Sequence, residues 1–220
     1  MKKQVKYCVI FILSLMIVVV SLIIIIRKNE YSYAISTELS HENQIEIPVI
    51  SKLSNTKIQD EINDLLKKSA LFYIDTENEN DLQLSYDIKR CDEILSVIYY
   101  GSIYYPKAIH PINFFYTLNI NVENGKSIEN DDIFEINSET LLQLLEEKWI
   151  YPTELEKKEN VKLFLAEEIN NNNMNMESGN LPYDNINIYL TDDYIGVRVY
   201  LPYAMGSYAV IEIPIDKEPK

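Results

Sequence analysis

A chain of 220 residues with 34 acidic against 20 basic side chains carries a formal charge of −14, which argues against nucleic acid as a partner. Only two cysteines and two histidines occur, Cys8 and Cys91, His41 and His110, without C-x-x-C or H-x-x-x-H spacing. No disulfide framework, metal centre or cofactor is therefore expected, and a core must hold the fold together.

Tyr7 to Ile26 is a run of twenty residues free of charge and proline, preceded by Lys2, Lys3 and Lys6 and closed by Arg27 and Lys28. At about 1.5 Å per residue, a helix of this length crosses the roughly 30 Å hydrocarbon core of a bilayer. Residues 1–6 then form a cytoplasmic stub and 7–26 a single-pass signal-anchor in the cell membrane, with the bulk of the chain extracytoplasmic. The alternative is a cleaved secretory signal, since Ser32 and Ala34 stand at the small-x-small positions of a signal-peptidase site. Five of the 20 basic residues flank the run, so residues 29–220 hold fifteen basic and all 34 acidic residues, a charge of −19. A field of this sign steers cationic partners, or simply keeps a surface protein soluble.

Residues 27–40 show neither apolar periodicity nor turn chemistry and read as a stalk. From Gln44 to Ile50, Ile45, Ile47 and Val49 alternate with polar residues, as on a half-buried strand. Ser54 is placed to cap a helix to about Leu71, whose stripe is Ile58, Ile62, Leu65 and Leu66. Leu82 to Arg90 and Ile94 to Tyr105, joined at Asp92-Glu93, read as paired antiparallel strands. Phe114 to Val122 alternates too and runs into Asn124-Gly125, a hairpin signal that calls for positive φ at both central residues.

Ser138 to Trp149 and Glu159 to Ile169 carry helical patterns separated by Tyr151-Pro152. An asparagine-rich loop, 170–180, precedes Ile186 to Thr191, Tyr194 to Leu201 and Tyr208 to Ile215, which read as a closing meander. The expectation is an α+β fold in which residues 41–217 make one domain with a mainly antiparallel sheet and about three helices.

No nucleophile motif or phosphate loop is present, and a Cys91–His110 dyad is disfavoured because Asp92 and Glu93 would raise the thiol's pKa. Sequence-adjacent carboxylates such as Asp192-Asp193 point apart on a regular element, so the chain reads as a non-enzyme. The alternatives are an envelope glycan hydrolase using sheet-face carboxylates, and a structural surface protein. Seventeen tyrosines include clusters at Tyr99, Tyr100, Tyr104 and Tyr105 and at Tyr200, Tyr203 and Tyr208. Aromatic rings on a sheet face either stack on sugars and protein partners or form a core with phenols at its rim.

The stretch Leu190-Thr-Asp-Asp-Tyr-Ile-Gly, then Tyr200-Leu-Pro-Tyr-Ala-Met-Gly-Ser-Tyr-Ala-Val, then Ile213-Pro-Ile is the most specific text in the chain. With Ile47-Pro-Val-Ile, the Asn63-containing helix and His110 through Asn119-Ile-Asn-Val-Glu-Asn-Gly125-Lys126 to Phe134, it resembles a family of bacterial domains of unknown function. These occur in the outer, lysozyme-binding region of RsiV-type anti-sigma factors and as an accessory domain of some peptidoglycan deacetylases. The resemblance implies an extracytoplasmic α+β domain of a Gram-positive cell envelope, with a lysozyme-like cationic protein or peptidoglycan as ligand. In the RsiV-type proteins, ligand binding exposes the chain to signal peptidase; in the cleaved alternative the cut here would fall after Ala34, with Ser32 at minus three. Ligand contact falls, by the same resemblance, on Tyr203, Met205, Gly206 and the neighbouring Tyr208; the alternative is a turn that only sets strand register. Six residues before the anchor are too few to grip a sigma factor, so no such partner is expected.

Overall fold

The computed structural model describes residues 13, 15–17, 33–40, 44–72, 74, 81–105, 109–171 and 186–215. Of the apolar run 7–26, residues 13 and 15–17 are helical and exposed; the rest of it, with the stub, Ser32, His41 and the loop beyond Asn171, lies outside the described residues. No helix among the described residues is long and apolar enough to cross a membrane.

The fold begins with strand β1 (Ala34–Ser40), where a stalk was expected. β1 pairs with β2 (Ile45–Ser51) along its whole length, from Ala34 opposite Ser51 to Ser40 opposite Ile45. As an edge strand it leaves Ser36 through Leu39 exposed, which is why no alternation shows in its sequence. Helix α1 (Thr56–Ala70) starts one residue later than expected because Asn55, not Ser54, is the cap: its Oδ1 accepts from the Lys57 and Ile58 amides.

Strands β3 (Asp81–Cys91), β4 (Ile94–Tyr104), β5 (Ile112–Asn121) and β6 (Lys126–Ile128) complete a six-stranded sheet in the order β1 to β6. All of its pairings are antiparallel except β2 with β3, a parallel contact recorded only at Ile45 opposite Leu84. Elsewhere on that seam α1 supplies the partners. The Asn63 amide accepts from Ile50 N at 2.8 Å and donates to Ile50 O at 2.9 Å, while Gln59 accepts from Leu53 N. The β5–β6 turn differs from the expected two-residue form. Asn121 opposes Lys126, leaving four loop residues, and of these only Gly125 has positive φ, at +73°.

After the short helix α2 (Asn130–Ile133), α3 (Ser138–Leu144) ends sooner than its pattern suggests. Trp149, expected at the end of that helix, instead lies in strand β7 (Lys148–Tyr151), opposite Ile211. The chain turns at Leu145, whose carbonyl receives the Trp149 indole N–H. Helix α4 (Leu155–Asn170) begins one turn before the expected start. β8 (Ile186–Leu190), β9 (Tyr194–Tyr200) and β10 (Tyr208–Pro214) then form a second antiparallel sheet with β7, in the order β7-β10-β9-β8. The α+β class with mainly antiparallel pairing stands. The single sheet expected from sequence is in fact two.

Four layers result: α1, the first sheet, the second sheet, then α3 with α4. One apolar core lies between α1 and the first sheet, and another between the second sheet and α3 and α4. Between the sheets, Ile98, Phe115, Tyr189 and Val210 meet. The tyrosines divide accordingly. Tyr99 and Tyr116 are buried and stacked at 5.0 Å, and their phenols donate to Leu66 O and Ser69 O near the end of α1, where a helix has carbonyls to satisfy.

The facing surfaces of the two sheets are also polar. Ser96 and Asn119 lie fully buried opposite the free edge of β8. Leu190 N donates to Ser96 Oγ, Ser96 donates to Asn119 Oδ1, and Asn119 Nδ2 donates to Ile188 O at 2.8 Å and to Asn130 Oδ1. Asn130 Nδ2 closes the series on Ile186 O. Three side chains thus satisfy alternate positions of an edge strand that would otherwise bury unpaired backbone.

Candidate functional site

Where the second sheet stops covering the first, two surface cavities open. The larger, about 560 Å³, lies among the end of β7, the start of α4 and the 3-10 turn Tyr203–Met205. That turn forms because Pro202 blocks strand continuation and offers its carbonyl to Met205 N at 2.8 Å. It closes at Gly206, whose φ of +105° suits a residue without Cβ, and a Cβ there would approach Tyr151 Oη to 3.2 Å. Tyr203 is half exposed and stacks on His110 at 5.6 Å with the rings nearly parallel.

Tyr203, Met205 and Gly206 therefore share one cavity wall. Met205, one of the residues expected to contact ligand, packs partly against the core of the second sheet. Tyr208 does not line the cavity. It sits behind Tyr151, ring to ring at 4.9 Å, and against Phe115 at 5.3 Å, so an aromatic row runs inward from the cavity to the space between the sheets. Burial raises the Tyr208 phenol pKa, with Tyr151 adding to the rise and the buried Arg198 opposing it. The remaining lining was not foreseen: Tyr151, Lys157 and Asn160 come from the consecutive elements β7 and α4, and Asn113 from β5, much earlier in the chain. No local pattern links them, although the Tyr151-Pro152 break marked one of the walls.

Among the described residues, the polar side chains of the lining are amides, hydroxyls and one ammonium, with no carboxylate. Lys157 is held by Glu154 at 3.3 Å. The Glu154 carboxyl lies below the usual range because its own backbone amide hydrogen-bonds to it, with Lys157 adding to the effect. The second cavity, about 440 Å³, has the uncovered face of the first sheet as its floor, with Glu46, Gln83, Ser85, Tyr100 and Ser102, and it shares Asn113 with the first.

Topology separates the groups of the disfavoured dyad. Cys91 adjoins the β3–β4 turn and His110 precedes β5, so they lie at opposite ends of the eleven-residue strand β4, roughly 30 Å apart. Among the described residues no three His, Cys, Asp or Glu side chains are grouped to hold a metal ion. Ala34 is half-buried at the start of β1, with its carbonyl facing Ser51 Oγ. Its neighbour Tyr33 lies under the Arg90 guanidinium at 4.2 Å.

No family model and no curated protein matches the chain. Among solved structures it is similar to a DUF3298 family protein from Pseudomonas aeruginosa PAO1. The TM-score is 0.45 and the identity 11%, over 83% of this chain and 89% of that one.

Proposed function

We propose that this protein is a non-enzymatic binding domain of the bacterial cell envelope, tethered by residues 7–26 with its bulk outside the membrane, and that its ligand is wall glycan. The observation that carries this reading is the larger cavity. Its volume of about 560 Å³ lies within the range of small-molecule sites, and it combines aromatic faces at Tyr151 and Tyr203 with the amides of Asn113 and Asn160. Aromatic faces stack on the C–H faces of sugars, and amides offer both a donor and an acceptor to hydroxyl and acetamido groups. A second reading, a lysozyme-like cationic protein as ligand, is favoured by the −19 charge of residues 29–220.

Retention of the full chain on purified cell wall and on immobilised lysozyme, at low and at moderate salt, separates the two. The glycan reading expects wall retention that survives moderate salt. Retention on lysozyme alone, lost as salt rises, replaces it with the charge-steered protein ligand, and retention on neither overturns both. Turnover of wall material that disappears when sheet-face carboxylates become amides would make the protein a hydrolase.

A further inference from the structure

The two cavities have a residue in common, and that residue fixes how they relate. Asn113 lines both. In the register of β4 with β5, Ser102 faces Asn113 and Tyr100 faces Phe115, so Tyr100 is the diagonal neighbour of Asn113 on the same sheet face, about 7–8 Å away. Gln83 and Ser85 oppose Ser102 and Tyr100 from β3, which puts them on this face as well. The floor of the second cavity is thus a continuous strip of hydroxyl, amide and aromatic groups leading into the wall formed by Tyr151 and Tyr203. Two of its rings are exposed: Tyr203 is 52% exposed and Tyr100 42%.

We propose that the two cavities are one groove that binds a linear saccharide several rings long, with Tyr203 and Tyr151 stacking one part of the chain, Tyr100 stacking another, and Asn113 contacting the span between them. This rests on the glycan reading above and adds to it a polymer and its placement. A single-sugar site would need one enclosed pocket. Here polar and aromatic groups are strung along an open strip, which suits a ligand that repeats the same face and hydroxyl pattern along its length. Glu46 lines the strip beyond Tyr100, and Lys157, paired with Glu154, lines the wall beside Tyr151 and Tyr203.

The test is calorimetric binding of N-acetylglucosamine oligomers of two and six rings to the full chain. The hexamer is expected to bind severalfold, up to about tenfold, more tightly than the dimer, the gain from one further aromatic contact. Tyr100→Ala should remove that gain and leave dimer affinity unchanged, Tyr203→Ala should weaken both, and Tyr100→Phe should behave as wild type because stacking needs the ring and not the phenol. Unchanged unfolding of each variant, followed by Trp149 fluorescence, shows that the fold is intact. Equal affinities for dimer and hexamer, an indifferent Tyr100→Ala, or no binding of either oligomer overturns the groove. If wall retention persists in that case, the glycan reading survives without it; if wall retention fails too, both fall.

Discussion

The buried amide of Asn119 is the point at which the two sheets depend on one another, and Asn119→Ala tests this. The substitution removes the acceptor of Ser96 Oγ–H and the donor to both Ile188 O and Asn130 Oδ1. Each hydrogen bond contributes about 0.5–1.5 kcal/mol net, and a buried group left unsatisfied costs about 1–3 kcal/mol. A loss of roughly 3 to 5 kcal/mol follows, a large part of the roughly 5–15 kcal/mol that holds a domain folded. Thr117, two residues away on the same face and equally buried, is the control. Its Oγ1 has no hydrogen-bond partner among the described residues, so Thr117→Val should be neutral or stabilise by up to about 1 kcal/mol. Urea unfolding reports both changes through Trp149, the only tryptophan, which packs against the core of the second sheet. The midpoint should fall for Asn119→Ala at an unchanged slope, because both sheets unfold together. A loss below about 1 kcal/mol, or an equal loss for Thr117→Val, would refute the idea that these bonds hold β8 against the first sheet.

Other perturbations follow from the same packing. A Cβ on Gly101 would overlap the Gln83 carbonyl of the neighbouring strand, and one on Gly196 would overlap the buried ring of Tyr189. Since backbone cannot swing aside, Gly101→Ala should cost more than about 3 kcal/mol in thermal unfolding and Gly196→Ala about 1–3 kcal/mol; the reverse order would sink the argument. Burial raises the phenol pKa of Tyr33, Tyr99, Tyr189 and Tyr208, with the Glu212 carboxylate adding to the rise at Tyr189. A folded-state pKa above the unfolded value near 10 means that stability is full below about pH 10 and is lost as pH climbs through the folded values. Phenolate absorbance and circular dichroism should therefore change together on alkaline titration, and phenols that ionise near pH 10 in an intact fold would contradict this. Finally, β1 pairing buries the approach to Ala34, so signal peptidase should cut the folded chain there far more slowly than a variant whose β1 is detached by Val49→Pro. Equal rates would show that the strand gives no protection.

The sequence was legible where order is local. The stripe of α1, the β3–β4 hairpin at Asp92-Glu93 and the meander from Ile186 each write their own period, and the structure follows them to within a residue or two. It was not legible where a partner distant in sequence decides. β1 shows no periodic signal because only Ile35 packs against a core and pairing with β2 holds the rest. The leucines of α3 run on toward Trp149, yet pairing with β10 takes Trp149 into a strand. Alternation places Ser96, Thr117, Asn119 and Arg198 opposite the apolar positions of their strands, as if facing solvent, and they are among the most buried residues. Of the site, the sequence marked the 3-10 turn and the tyrosine clusters but not Lys157 and Asn160, one turn apart on α4, nor Asn113, which meets them only through the offset of one sheet over the other.

That offset also explains why one sheet face has two fates. Along β4 and β5 the inward positions run from Ser96, Ile98, Thr117 and Asn119, beneath β8 and its neighbours, to Tyr100, Ser102 and Asn113 beyond them. In the covered part most polar groups find fixed partners, and together they act as a joint. In the uncovered part the same residue types have no strand opposite and line the groove. The boundary is aromatic: Phe115 packs on Tyr208, and Tyr208 on Tyr151, which is itself part of the cavity wall. A change that loosens the joint should therefore reach the groove through this row of rings. Asn119→Ala, assayed well below its unfolding midpoint, should weaken saccharide binding without touching a single groove residue, whereas Thr117→Val should leave it alone. Undiminished affinity in Asn119→Ala would show that the groove does not depend on the joint.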